Sequence, residues 1–218
     1  MNSRRLFLKS GLVLTVAVAA SACAKKTVIS SMPDVKYMMV IDQNRCTGCQ
    51  ACSIACKAEN DTFQDNFNTR VLKEEISDKA AVFTPVQCNH CEEPMCVAAC
   101  PVDATFKLSN GIVVTDWEKC DGIGECVGAC PYNARFFDDR YKGKAGSKVD
   151  KCDFCISRLS KGLMPACVET CPSGARLFGN AKMPSGEFAK YLEKDKLISR
   201  FPELRIETSL KYKKSRKN

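Results

Sequence analysis

Apolar positions along the chain come in short runs rather than in long amphipathic stretches. Residues 39–46, MVIDQNRC, match residues 113–120, VVTDWEKC: each has a β-branched apolar run, an aspartate, two variable residues and a basic residue before a cysteine. The pattern predicts two short strands, each entering a cysteine loop. Residues 58–85 between them are polar and mixed in charge, which predicts a surface excursion facing a partner, with strand near Arg70 to Lys73. Residues 156–166, ISRLSKGLMPA, predict a short helix and a turn. The longest apolar run, residues 11–22, is too short for a membrane span.

One phrase recurs four times: CSIACKAENDTF from Cys52, CVAACPVDATFK from Cys96, CVGACPYNARFF from Cys126 and CVETCPSGARLF from Cys167. The shared core is C-V-x-x-C-P-x-x-A, and the first copy departs from it with Ser53 for valine and Lys57 for proline. The proline ends each cysteine loop, with a short helix or turn beside it.

The chain has 218 residues and 16 cysteines. Such a density makes cysteine chemistry dominate the fold. Cys46, Cys49, Cys52 and Cys56 read C-x2-C-x2-C-x3-C, and Cys88, Cys91, Cys96 and Cys100 read C-x2-C-x4-C-x3-C-P. Cys120, Cys126 and Cys130 form a third run with Ile123 where a further cysteine would complete it. Cys152, Cys155, Cys167 and Cys171 read C-x2-C-x11-C-x3-C-P, and only Cys23 stands outside the groups.

Disulfides, zinc and iron–sulfur clusters compete for these thiols. Close C-x2-C pairs in sets of three or four make a poor disulfide framework, and C-x2-C-x2-C-x3-C is not a zinc spacing. His90, the one histidine, cannot supply a Rieske centre, which needs two. Three cysteines in one tight loop reach three corners of one cubane while the fourth reaches a neighbouring cluster, so the spacing points to iron–sulfur chemistry. His90 and Trp117 flank cluster loops, His90 read as solvated and Trp117 as packing.

Residues 1–22 read as an export signal, with Arg4 and Arg5 in SRRLFLK resembling the twin-arginine consensus. That route carries folded proteins, which suits a cofactor assembled before export to the periplasm. Ala20-Ser21-Ala22-Cys23 reads either as a cleavage site or as a lipobox that makes Cys23 a lipid anchor.

The four groups, their order and the signal resemble the four-cluster, ferredoxin-like electron-transfer subunits of respiratory oxidoreductases, among them dimethyl sulfoxide, polysulfide, tetrathionate and nitrite reductase systems. The likeness covers residues 37–179. It implies an α+β fold of two interleaved bacterial ferredoxin-like units with short strands, short helices and surface insertions. Residues 37–65 and 145–180 form the first unit, residues 80–140 the second, and residues 181–218 an extension with a basic, solvated tail from Lys211. By position, Cys46, Cys49, Cys52 and Cys171 would hold cluster 1, and Cys56, Cys152, Cys155 and Cys167 cluster 2. Cys88, Cys91, Cys96 and Cys130 would hold cluster 3. Cluster 4 would have Cys100, Cys120 and Cys126, with Ile123 in the missing slot.

Isoleucine has no lone pair, so the ligand count favours three [4Fe–4S] clusters and one [3Fe–4S] cluster. The alternative is a fourth [4Fe–4S] cluster with water, Asp121 or Glu125 as ligand. The formal charge of +8 becomes +5 once Arg4, Arg5 and Lys9 leave with the signal, and roughly −8 from such a cluster set makes the loaded chain mildly acidic, so the basic count does not argue for nucleic acid. No nucleotide loop or acid–base set is evident, and the resemblance implies a non-catalytic subunit. Its partners would be a membrane quinol dehydrogenase and a terminal reductase of molybdopterin or multihaem type, outside the cytoplasmic membrane. A soluble polyferredoxin carrier and a cluster-dependent dehydratase are the rival readings.

Overall fold

The computed structural model describes residues 34–77, 80–141 and 146–215. The twin-arginine signal, Cys23 and the last three residues of the basic tail lie outside the described residues. The strands follow one rule: the strand leaving a cysteine group pairs antiparallel with the strand entering the next. After the first group, β2 (Thr69–Ser77) pairs with β3 (Ala80–Gln87), which enters the second. Next, β4 (Thr105–Lys107) pairs with β5 (Val113–Thr115). In the same way β6 (Phe136–Phe137) pairs with β7 (Val149–Asp150). Finally β8 (Arg176–Asn180), after the fourth group, closes the circle on β1 (Tyr37–Asp42), before the first.

Helix length follows the proline. Three of the single-turn helices, α2 (Met95–Ala98), α3 (Glu125–Gly128) and α5 (Ala166–Glu169), each run into a Cys-Pro pair. Proline disfavours the helical conformation in the residue before it, so the turn stops there. In the first copy Lys57 replaces that proline, and α1 (Ala51–Asn60) continues for 10 residues. The Lys57 ammonium then donates to the carbonyls of Thr62, Gln64 and Asn66, and ties down the loop after the helix. The helix predicted in the fourth group is α4 (Ile156–Leu159), followed by a turn. Short helices with small, mainly antiparallel sheets make the fold α+β.

Strand β1 is central. Met39, Val40 and Ile41 are buried on both faces, because β1 lies between β8 and a last strand, β9 (Leu210–Lys213), which runs parallel to it. One face meets Phe178, Phe154, Leu210 and Tyr212 together with Cys52, Cys88, Cys152 and Cys167, so the apolar core and the thiols share one space. On the other face, Phe188 and Tyr191 of α6 (Gly186–Lys194) pack on Val40 and Leu177.

Two expectations are corrected here. Residues 211–213 are not a solvated tail: Leu210 and Tyr212 are 0% and 2% exposed, and Lys211 and Lys213 beside them pair with Glu207 and Asp195. The run of basic residues hides a period-2 strand pattern that stands on only two apolar residues. The excursion between the first two groups is only partly at the surface. Strand β2 is exposed from Lys73 to Ser77, while Thr69, Thr84 and Val86 towards the hairpin's root and Val82 opposite Glu74 are buried.

Leu210→Ala should therefore lower stability by about 2–5 kcal/mol, as buried Leu→Ala changes do. Lys214→Ala, at an exposed position beside the strand, should stay within about 0.5 kcal/mol. Anaerobic urea unfolding of both variants checks the contrast.

Candidate metal centre

All fifteen cysteines among the described residues are free thiols. Cys46, Cys49, Cys52 and Cys171 line one cavity. A second is lined by Cys100, Cys120 and Cys126, with Ile123, Asp121 and Glu125 at its wall. The remaining thiols gather in two further sets. Cys152 has Cys56, Cys155 and Cys167 as its thiol neighbours, and Cys91 has Cys88, Cys96 and Cys130. In the two cavities the cysteines line a space rather than meeting at a point. Among the described residues no three Cys, His, Asp or Glu side chains converge closely enough for a single ion.

Local sequence explains how the loops turn. In each C-x2-C start the second intervening residue is left-handed: Gly48 (φ 75°), His90 (46°), Gly122 (75°) and Phe154 (56°). A side chain at Gly48 would also drive its Cβ to 2.5 Å from the Phe83 ring. In each Cys-Pro-x-x-Ala stretch the residue before alanine is left-handed too, and it is Asp103, Asn133 or Gly174, types that tolerate this conformation. The aspartates have a matching role. Asp42 accepts from the Asn44 amide at 2.9 Å and Asp116 from the Glu118 amide at 3.0 Å, closing the turn between strand and cysteine loop.

These turns also solvate sulfur. Burial works against ionisation of Cys171, but the Ser173 hydroxyl and the backbone amides of Ala175, Arg176 and Ser173 outweigh it and lower its pKa. The equivalent Cys100 is lowered in the same way by the amides of Thr105, Val102 and Ala104. In the first copy, which lacks the proline turn, the Asn60 side chain replaces the amide and donates to Cys56 Sγ at 3.4 Å. Most other thiols move upward. Burial, then the neighbouring thiols, push Cys91 up to about 12, and burial pushes Cys155 up to about 11. Such groups give up their protons when a metal takes them.

Two arginines, not anticipated from the cysteine spacing, stand between the sets. Arg176 is fully buried, with Nη2 3.5 Å from Cys52 Sγ and Nη1 3.6 Å from Cys167 Sγ. It also donates to Thr69 at 2.7 Å and Gln87 at 2.5 Å, which are register partners across β2 and β3. Arg135, also buried, lies beside Cys96 and Cys126 and donates to Thr105 at 3.2 Å and Thr115 at 3.3 Å, register partners across β4 and β5. The two sites are equivalent, and the repeated A-R-[LF]-F that ends the third and fourth copies is their sequence signal. Nε of Arg176 and Nε and Nη2 of Arg135 have no hydrogen-bond partner among the described residues. Buried donors are satisfied in folded proteins. Orphaned N–H groups set among soft thiol donors thus fit an anionic, sulfur-rich metal group.

His90, expected to be solvated in its loop, is instead fully buried. Its Nδ1 accepts from the Val113 amide at 3.0 Å, and its ring lies 3.9 Å from that of Phe154. Burial, with Lys151 and Arg135 nearby, holds the imidazole neutral. The pair joins the loops of Cys88 and Cys152, as does Gln87, whose amide reaches Cys152 Sγ at 3.6 Å. Trp117 packs edge-on against Tyr141. Ile123 is 56% exposed at the rim of the second cavity.

Gly48→Ala should cost about 1–3 kcal/mol, as residues forced into sparse backbone regions do. Gly128→Ala, in a helix with open space around it, should be neutral or stabilising by about 0.4–1 kcal/mol. Denaturant midpoints of the two variants give the test.

A 4Fe-4S dicluster domain model matches residues 79–181, and a second 4Fe-4S dicluster domain model matches residues 45–104. The chain is 41% identical over 202 residues to a tetrathionate reductase subunit of Salmonella typhimurium, covering 88% of this chain and 79% of that protein. It is 40% identical over 150 residues to the thiosulfate reductase electron transfer subunit PhsB of Salmonella typhi, covering 66% and 76%. It is 36% identical over 197 residues to protein NrfC of Escherichia coli K12, covering 87% and 85%. With its thiols gathered in sets and dicluster models matching across them, the chain belongs to the family of ferredoxin-like iron–sulfur electron-transfer subunits of reductase complexes.

Proposed function

We propose that the chain relays electrons through four iron–sulfur clusters, between a membrane quinol-oxidising subunit and a periplasmic terminal reductase of molybdopterin or multihaem type. Cluster 1 takes Cys46, Cys49, Cys52 and Cys171, and cluster 2 takes Cys56, Cys152, Cys155 and Cys167. Cluster 3 takes Cys88, Cys91, Cys96 and Cys130, and cluster 4 takes Cys100, Cys120 and Cys126. Clusters 1 and 2 belong to one ferredoxin-like unit, and clusters 3 and 4 to the other. The clusters supply one-electron chemistry; the chain's residues position and insulate them.

One observation carries the reading: shared residues string the four thiol sets into a line. Arg176 touches the Cys52 and Cys167 sets, Gln87 reaches Cys152 from beside Cys88, and Arg135 lies between Cys96 and Cys126. A catalytic centre needs one site, whereas a relay needs several in sequence. Ile123 at the rim of the second cavity offers no ligand, which makes cluster 4 the [3Fe–4S] member. Losing a thiolate and an iron there raises its potential above its neighbours.

Iron analysis with EPR of the anaerobically purified chain tests this. The expected result is about 15 irons and a [3Fe–4S] signal in the oxidised protein. Ile123→Cys should bring the count to about 16 and abolish that signal. Bound zinc without iron would contradict the whole assignment. Export is tested separately: replacing Arg4 and Arg5 by lysine should leave the chain in the cytoplasmic fraction, and unchanged periplasmic recovery would remove the twin-arginine reading.

A further inference from the structure

We infer that Arg176 and Arg135 are positioning residues that each set the reduction potentials of the two clusters between which they lie. The inference rests on the four-cluster reading. Each arginine follows a Cys-Pro-x-x-Ala turn, and each reaches thiols of two different sets. The fork of each is fixed by a pair of polar residues in cross-strand register, Thr69 with Gln87 and Thr105 with Thr115. Among the described residues neither guanidinium pairs with a carboxylate; the largest favourable influences are thiols, Cys167 and Cys52 for Arg176, Cys96 and Cys126 for Arg135.

A buried cation without a carboxylate must have its counter-charge elsewhere, or its burial would be prohibitive. Here the anions placed to serve are the thiolates and the sulfur of the groups they bind. The orphaned N–H atoms of both side chains point to the same source. A fixed cation in a low-dielectric interior favours the more negative, reduced form of each neighbour. Because one charge is shared by two clusters, it raises both together and leaves the difference between them unchanged. Neighbouring stations thus keep their spacing while their common level is set.

The alternative is that each arginine merely ties the root of a hairpin to the core. Arg176→Gln and Arg135→Gln keep hydrogen bonding but remove charge; Arg176→Lys and Arg135→Lys keep charge but lose the fork. Redox titrations monitored by EPR, with iron analysis, should be made on the intact cluster-loaded chain. With R176Q, two of the four midpoints should fall by at least a tenfold change in the reduction equilibrium, 59 mV for a one-electron couple. With R135Q the other two should fall, and each lysine variant should stay near the native values. If a glutamine variant loses iron, its lysine counterpart decides: native iron with native potentials supports the inference. Full iron with all four potentials unmoved in the glutamine variants, or potentials lowered in the lysine variants despite full iron, would overturn it. A native chain without iron would overturn the cluster reading itself.

Discussion

In each full set three thiols come from one cysteine group and the remaining thiol comes from another. That single requirement governs the fold. Cys171 must return to Cys46, Cys49 and Cys52, and Cys130 to Cys88, Cys91 and Cys96. Strand pairing does this work: each strand leaving a group is zipped to the strand entering the next, and β8 closes on β1. Neighbouring groups are thereby held by backbone hydrogen bonds. Elements can then stay short, because the thiols rather than long helices organise the interior.

Burying so many ionisable thiols demands compensation. It comes from three sources that the repeat encodes together. The proline turn aims backbone amides at the last cysteine of a group, as at Cys100 and Cys171. Where the turn is missing, a longer helix brings Asn60 to the same task. Between sets, Arg135 and Arg176 place guanidinium charge among thiols rather than carboxylates. The proline turn recurs in the last three copies and the arginine in the last two, each at a fixed distance after the last cysteine of its group.

Much of this was legible in the sequence, and the failures have physical reasons. The apolar runs before Cys46 and Cys120 became β1 and β5, and the fourth group holds the short helix expected of it. Those signals are local, set by turn residues and β-branched runs. Strand β9 was not legible, because its two apolar residues are set among lysines and its partner β1 lies about 170 residues away in sequence, where no local pattern reports it. His90 looked solvated for a similar reason: its burial comes from Phe154 in another group. The arginines were visible as a repeated letter, but charge is ordinarily a surface signal, and only the register of Thr69 with Gln87 and Thr105 with Thr115 reveals them as an equivalent pair.

The most direct measurement of the central claim is anomalous diffraction at the iron edge from crystals of the anaerobically purified chain. Four separate iron clusters in a line are expected, one within each thiol set, with Arg176 between the first two and Arg135 between the last two. Single-metal sites, a zinc edge in place of iron, or iron ligated by thiols of only one group would contradict it.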